Sequence, residues 1–380
     1  MKKYRQILMF LLICSMFLTM MSQSVTASAV GCSAKAAVVI DSLTGEVLYE
    51  HNAYDRLPMA STTKIMSAVV ALENSDLDES FTVDPEAIKV EGSSMGLTEG
   101  DVVTMRDLIC GMLLPSGNDA ANAAAVRIAG SVEGFVGMMN EKAEELGLEN
   151  THFVTPSGLD DYTDDHYSTA YDMARLADYA LQNDVFAEIC SKKYIKLSFG
   201  NPSQERWLTN TNKLLDSCEG VTGVKTGFTD KAKRCLVSSC KRGNAELICV
   251  TLNDPDDWRD HSGLYDYAFA QMTDIRLSES EKKFSVDVAG GERPFVGAYA
   301  DSGVVSVPKS CVDKITAVTF VKPMVFAPVA KDDELGSVAY YCNGKKIFES
   351  KITAAEDTDQ RISEAEESAI DKFLNLLKSK

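Results

Sequence analysis

The chain has 380 residues, with 38 Lys plus Arg against 56 Asp plus Glu and a formal net charge of −18. A hydrophobic fraction of 45% with 25% charged residues excludes global disorder and supplies chain for two or three domains. A sequence pI near 4.7 excludes a broad nucleic-acid surface, because phosphate binding needs clustered Lys and Arg.

Lys2, Lys3 and Arg5 precede an apolar run from Ile7 to Met21, which ends in Ala27-Ser28-Ala29. Basic start, apolar middle and small-residue triplet read as a secretory signal peptide over residues 1–29, because the run is short for a bilayer span. Cleavage after Ala29 removes three positive charges and leaves a mature chain near −21. Cys32 lies just beyond the site, so lipid attachment is the alternative processing. Nine cysteines remain, an odd number without a C-x-x-C, and several sit in apolar runs. They read as buried small hydrophobes. His51, His152, His166 and His261 are scattered and show no zinc-ligand spacing.

Residues 30–277 carry strands at both ends around a helical middle. Ala36 to Asp41 and Glu46 to Tyr49 read as strands around the turn Leu43-Thr44-Gly45. Helices are expected at Ser61–Asn74, Met105–Leu114, Asp119–Ala129, Val132–Leu146 and Thr169–Gln182, with Ser131 and Ser168 as N-caps. Strands return at Cys235–Cys240 and Ala245–Leu252. The pattern describes one α/β domain whose sheet closes over long range. Residues 278–352 are strand-rich: Phe284–Val288, Val304–Val307, Ile315–Val321, and Val338–Cys342 joined to Ile347–Ile352 through Asn343-Gly344, a hairpin signal. Residues 353–380 are acidic, yet Ile362, Ala365, Ala369, Ile370, Phe373, Leu374 and Leu377 share one helical face. Such a helix suits a membrane surface or its own protein, and the sequence leaves both open.

Three short elements carry chemistry. Ser61-Thr62-Thr63-Lys64 opens an apolar helix, where residues three apart share a face. Burial there would lower the Lys64 pKa and let a neutral amine take the serine proton. Ser238–Lys241, Ser280–Lys283 and Ser306–Lys309 match the same S-x-x-K spacing but fall in strands or turns. Ser116-Gly117-Asn118 sits on a tight loop at a helix start. Lys225-Thr226-Gly227 lies on a strand edge, where a glycine lets another backbone approach closely.

In this order the three elements mark penicillin-binding proteins and class A β-lactamases. The stretches PMASTTKIMSA, LLPSGNDAANA, THFVTPSGLDDYTDDHYSTAYDMARLA and GVKTGFTDKA resemble the serine-type D-Ala-D-Ala carboxypeptidases, the low-molecular-weight penicillin-binding proteins. The resemblance implies a penicillin-binding/β-lactamase-like transpeptidase fold of α/β (α+β) class, with an antiparallel sheet and a helical cluster. A small β-rich domain and a C-terminal amphipathic helix follow, the latter a membrane-surface contact in that layout. Lys233-Arg234 departs from the family, which usually has a glycine there.

The resemblance implies that Ser61 attacks the bond between the terminal D-alanines of a peptidoglycan pentapeptide, with Lys64 as proton acceptor. Backbone N–H groups of Ser61 and Phe228 would hold the oxyanion, and Ser116 would pass a proton to the departing amine with Lys225 beside it. Asn118 would hold the substrate amide and Lys64. Thr226, beside Gly227, would bind the terminal carboxylate, with Arg259 supplying positive charge. No metal or organic cofactor is implied, and β-lactam antibiotics are expected to acylate Ser61. The site of action is then the outer face of the cytoplasmic membrane or the wall. A class A β-lactamase would need an E-x-x-L-N element where this chain reads THFVTPSGLD. A non-catalytic penicillin sensor would need a transmembrane signalling segment. An endopeptidase acting on cross-links shares all three motifs and stays open.

Overall fold

The computed structural model of the protein describes residues 31–277, 284–361 and 371–377. The signal-peptide reading lies outside them, as do Ile362, Ala365, Ala369 and Ile370 of the expected tail helix. Residues 371–377 are helical, with Phe373, Leu374 and Leu377 exposed. Among the described residues no helix is long and apolar enough to cross a membrane.

The first sheet draws strands from both ends of its domain, as the pattern of the sequence requires. β1 (Ala36–Asp41) and β2 (Val47–His51) form the hairpin expected around Thr44, whose N–H and hydroxyl both bond Asp41 Oδ2, at 2.9 and 2.6 Å. In order along the chain come α1 (Lys64–Glu73), β3 (Ser80–Thr82), β4 (Val102–Thr104), α2 (Met105–Leu113), α3 (Asn118–Ala129), α4 (Val132–Glu145) and α5 (Ala170–Leu181). Then follow α6 (Asp184–Ser191), the hairpin β5 (Tyr194–Gly200) and β6 (Ser203–Thr209), α7 (Leu214–Ser217), β7 (Val221–Thr229), β8 (Lys233–Arg242), β9 (Ala245–Leu252) and α8 (Asp257–Phe269). The antiparallel sheet has the order β2-β1-β9-β8-β7, so the strand bearing Lys225 is an edge.

Side chains alternate across this sheet and define three layers. Ser238 and Thr251 meet His261 of α8, while Val38, Val237 and Val250 join the apolar cluster of helices α1 to α6. Helix α1 lies at the centre: from Lys64 to Ala71 every residue is buried. A helix apolar nearly all round must be buried all round, and it carries Lys64 with it.

Two details of the helix ends differ from expectation. Ser61 lies not in an α-helix but in a single 3₁₀ turn, Ala60–Thr63, that leads into α1. The cap of α5 is Thr169, which accepts from Asp172 N at 2.9 Å, because Ser168 is engaged with Thr151 at 2.7 Å instead. Ser131 caps α4 as expected, accepting from Gly134 N at 3.0 Å.

The β-rich part pairs β10 (Met272–Leu277) with β13 (Gly303–Pro308). Its six-stranded sheet has the order β14-β16-β17-β12-β11-β15, from β11 (Phe284–Ala289), β12 (Phe295–Ala300), β14 (Thr316–Val321), β15 (Met324–Phe326), β16 (Glu334–Cys342) and β17 (Lys345–Ala354). Asn343 and Gly344 turn β16 into β17 with φ of 51° and 78°, the two positive angles of a tight hairpin. This part meets the β1–β2 hairpin through Glu46, which takes Asn343 at 2.7 Å and Lys314 at 3.1 Å. Seven of the nine described cysteines are buried, matching their reading as small hydrophobes.

Candidate active site

The 3₁₀ turn at the head of α1 sets the site. Ala60 takes φ of 49°, a left-handed angle that costs an alanine about 1 kcal/mol and has to be held by its surroundings. Thr63 donates its hydroxyl to Ala60 O at 2.8 Å. Behind it, His166 Nδ1 accepts Val154 N–H at 2.9 Å, which leaves the proton on Nε2, 2.8 Å from Thr63 Oγ1. Burial drops the His166 pKa to about 3, so the ring is neutral and this tautomer is the one present. The result is a one-directional chain of donors running from Val154 to the carbonyl before Ser61.

Lys64 is fully buried, and its Nζ has three partners: Ser61 Oγ at 2.9 Å, Asn118 Oδ1 at 2.7 Å and Ser157 O at 2.6 Å. Burial first, then repulsion from Lys225, lowers its pKa well below the usual lysine value. A neutral amine has two protons and one lone pair. The two carbonyl oxygens can only accept, so they take both protons and the lone pair is left to face the Ser61 hydroxyl.

The second motif reaches the same point from α3. Asn118 is the first residue of that helix; its Nδ2 donates to Glu91 O at 2.7 Å, which fixes Oδ1 toward Lys64. Ser116, buried before it, takes φ of 67°. Asp119 holds the adjoining loop by accepting from Met95 N, Gly96 N and Leu97 N at 2.9, 3.1 and 3.0 Å.

The third motif lies on β7. Lys225 is buried, its Nζ on Thr226 O at 2.8 Å, and burial alone lowers its pKa to about 7. Thr226 Oγ1 lies 2.6 Å from Thr211 Oγ1, and Thr211 N donates to Leu114 O at 3.1 Å, so one threonine ties the second motif to the third. A Cβ on Gly227 would stand 3.0 Å from Met59 O and 3.1 Å from Thr62 N, which shows how closely the strand approaches the nucleophile turn. The Phe228 side chain is exposed.

Ser61, Lys64, Ser116, Asn118, Lys225, Thr226, Gly227 and Phe228 thus come from three elements that abut one another. The structure does not bring Arg259 to them. On α8 its guanidinium pairs with Asp256 at 2.9 Å and Asp260 at 3.0 Å, so its charge is already compensated by neighbouring carboxylates. Lys233, where a glycine was noted as missing, takes φ of 60°; Arg234 next to it grips Asp257 at 2.6 Å. The backbone there is the one a glycine would adopt freely.

Motif reading missed the segment that closes the back of the site. Ser157 supplies a carbonyl to Lys64, and Gly158, at φ of 86°, leaves only 2.0 Å between a would-be Cβ and Ala60 O. Thr155-Pro156-Ser157-Gly158 is a turn signal in the sequence, but nothing local says what the turn touches. Where a class A β-lactamase needs a glutamate, this segment offers a peptide carbonyl.

A family model for D-alanyl-D-alanine carboxypeptidases (peptidase S11) matches residues 23–256, and one for the penicillin-binding protein 5 C-terminal domain matches residues 275–360. The chain is 34% identical over 337 residues to the D-alanyl-D-alanine carboxypeptidase DacF of Bacillus subtilis, covering 85% of each. It is 33% identical over 353 residues to DacC of Escherichia coli, covering 88% of this chain and 86% of that one. Among solved structures, penicillin-binding protein 5 from Haemophilus influenzae superposes with a TM-score of 0.61 at 28% identity, covering 87% of this chain and 98% of that one. The Streptomyces K15 DD-transpeptidase gives a TM-score of 0.60 at 34% identity over 63% of this chain and 98% of its own.

Proposed function

We propose a reaction course for this chain, which belongs to the D-alanyl-D-alanine carboxypeptidases of peptidase family S11. It hydrolyses the terminal D-Ala-D-Ala bond of peptidoglycan stem peptides through a serine acyl-enzyme, and β-lactams acylate it. The residue roles are our assignment.

Ser61 Oγ attacks the carbonyl between the two D-alanines while its proton passes to the Lys64 lone pair. Charge develops on the former carbonyl oxygen, and the backbone N–H groups of Ser61 and Phe228 hold it; losing one such donor costs about 3 kcal/mol. The C–N bond then breaks, and Ser116 delivers a proton to the departing D-alanine amine. Lys225, charged, lowers the cost of that relay and attracts the terminal carboxylate, with the Thr226 hydroxyl as its hydrogen-bond donor. Asn118 orients both Lys64 and the substrate amide. Water finally displaces the acyl group from Ser61. The observation that carries this course is the set of contacts on Lys64 Nζ: two carbonyls and Ser61 Oγ.

Incubation with a labelled penicillin and mapping of the adduct tests it. Label is expected on Ser61 and lost in Ser61→Ala; label retained in that variant removes the nucleophile. A D-Ala-D-Ala tripeptide analogue should release free D-alanine above the Ser61→Ala background.

Action on peptidoglycan places the reaction outside the cytoplasm. Export by cleavage near Ala29, and docking of the last helix on the membrane surface, extend that reading. The exposed Phe373, Leu374 and Leu377 support the docking. Deleting residues 361–380 should move the protein from the membrane to the soluble fraction; an unchanged distribution excludes the helix as anchor.

A further inference from the structure

Two cysteines meet where the β-rich part joins the β1–β2 hairpin. Cys311 lies in the 3₁₀ turn Lys309–Lys314, and Cys342 ends β16 at the entry to the Asn343-Gly344 turn. Both are buried, in one apolar cluster with Leu277, Val307, Val338 and Ile347. The Cys342 thiol is directed at Cys311 O, 3.9 Å away, and the Cys311 sulfur lies 3.9 Å from Nδ2 of Asn343, the residue after Cys342. Each sulfur therefore faces the other's stretch of chain. Cys190, Cys235 and Cys240 instead set their thiols against the carbonyls of Thr222, Pro58 and Glu219. Burial first, then the Cys342 thiol beside it, push the Cys311 thiol up to about 12.

The residues next to the two cysteines show what a link between them would hold. Ser310, beside Cys311, gives its hydroxyl to Glu46 Oε1 at 3.1 Å, and Asn343, beside Cys342, gives its amide to Glu46 Oε2 at 2.7 Å. Lys314, from the same 3₁₀ turn, adds its Nζ at 3.1 Å. One carboxylate of the catalytic domain is thus gripped by two segments whose cysteines stand 31 positions apart. A covalent link between those segments fixes the donors relative to each other before Glu46 reaches them, which lowers the entropy lost in ordering the joint. Action on peptidoglycan puts the protein outside the cytoplasm, where such links form and persist.

We propose that Cys311 and Cys342 form a disulfide that fastens the two sides of the Glu46 clamp. The two thiols lose two protons and two electrons as the S–S bond forms, and a second disulfide, of a small thiol or a thiol oxidant protein, takes them up and becomes two thiols. A thiol with a pKa of about 12 holds almost no thiolate at neutral pH, so the exchange belongs to the folding chain, before the cluster closes. Once closed, the cluster shields the bond from outside thiols. The proposal goes beyond the carboxypeptidase reading and takes from it only the extracytoplasmic setting.

The test refolds the full chain, unfolded under reductant, in a buffer of reduced and oxidised glutathione, the latter supplying the oxidation. Remaining thiols are alkylated and an unreduced digest is read by mass spectrometry. Cys311 and Cys342 should appear in one linked pair of peptides, two hydrogens lighter than the sum of the two. Both cysteines alkylated, or either joined to a different cysteine, overturns the proposal. The chain refolded under reductant should melt lower by about 5 to 10 °C, the scale of one lost cross-link over a loop of this length. Equal melting of the two forms overturns the fastening role. In the double variant Cys311→Ala, Cys342→Ala, reductant should no longer shift the melting temperature; a shift of wild-type size there assigns it to other cysteines and also overturns the pair. Penicillin acylation is read separately on each form, and its failure with the linked peptides present bears on the carboxypeptidase reading alone.

Discussion

Lys64 Nζ stands 2.9 Å from Ser61 Oγ and gives its two other contacts to carbonyl oxygens, Asn118 Oδ1 and Ser157 O. Burial lowers the Lys64 pKa, and once the amine is neutral its two protons go to these two acceptors and its lone pair is left for the hydroxyl. Lys64→Arg separates this from a role for charge alone. A guanidinium keeps the charge but cannot deprotonate at accessible pH. Penicillin acylation in Lys64→Arg is expected to fall a hundredfold or more, the scale of a lost general base. Near-normal acylation in that variant would show that Lys64 acts as a charge.

Lys225 sits on the other side of the same chemistry and must be charged to act. Burial lowers its pKa to about 7 in the free enzyme. The rate constant kcat/KM should therefore decline as pH rises through about 7, and Lys225→Arg should remove that limb. The same shift fixes a stability trend. Between about pH 7 and 10.5 the unfolded chain holds the Lys225 proton and the folded one does not, so stability rises with pH across this window. Lys225→Met should flatten that slope, read as Tm against pH. A variant with the wild-type slope would place the titration elsewhere.

The nucleophile turn is clamped between two glycines, and they should differ in severity. A Cβ on Gly158 would lie 2.0 Å from Ala60 O, and its φ is 86°. A Cβ on Gly227 would lie 3.0 Å from Met59 O, where small shifts relieve it. Gly158→Ala is thus expected to abolish penicillin acylation, and Gly227→Ala to slow it by about tenfold, near 1.4 kcal/mol. Gly243, at φ of 60° with open space around it, is the control. Gly243→Ala should cost about 1 kcal/mol of stability and leave acylation untouched.

The motifs were legible in the sequence because each carries its own local signal: a polar pair at helical spacing, a serine at a helix start, a lysine on an edge strand. The expectation that Ser61 begins an α-helix erred by one turn, because a 3₁₀ turn and an α-helix have nearly the same apolar spacing over four residues. Hairpin β16–β17 announced itself through Asn343-Gly344, whereas β5 and β6 did not. β5 alternates Ile195, Leu197 and Phe199 with Lys196 and Ser198, but β6 opens on four polar residues, Ser203 to Arg206, and the turn contains Pro202, so the pairing did not stand out. Nonlocal contacts were out of reach altogether. Nothing in Thr155-Pro156-Ser157-Gly158 tells that its carbonyl meets a lysine some ninety positions earlier, and Arg259 could not be seen to be held by Asp256 and Asp260.

His166 is the clearest example of a positioning residue found only in three dimensions. It receives Val154 N–H on Nδ1 and faces Thr63 Oγ1 with Nε2, and Thr63 in turn holds Ala60 O in its left-handed turn. His166→Phe should leave the Val154 N–H and the Thr63 hydroxyl unpaired, costing about 2 kcal/mol and slowing penicillin acylation several-fold. His166→Gln retains an amide donor toward Thr63 and should recover most of the acylation rate, which a role in packing alone would not predict. The folded pKa of about 3 lies below the unfolded value near 6.5, so the unfolded chain alone binds this proton between those limits. Stability must then fall as pH drops from 6.5 toward 3, and His166→Gln should lose less than wild type over that span. His261 is also lowered to about 3 but is present in both proteins, so its share cancels in the difference. Equal Tm losses for wild type and His166→Gln between pH 7 and pH 4 would remove His166 from this account.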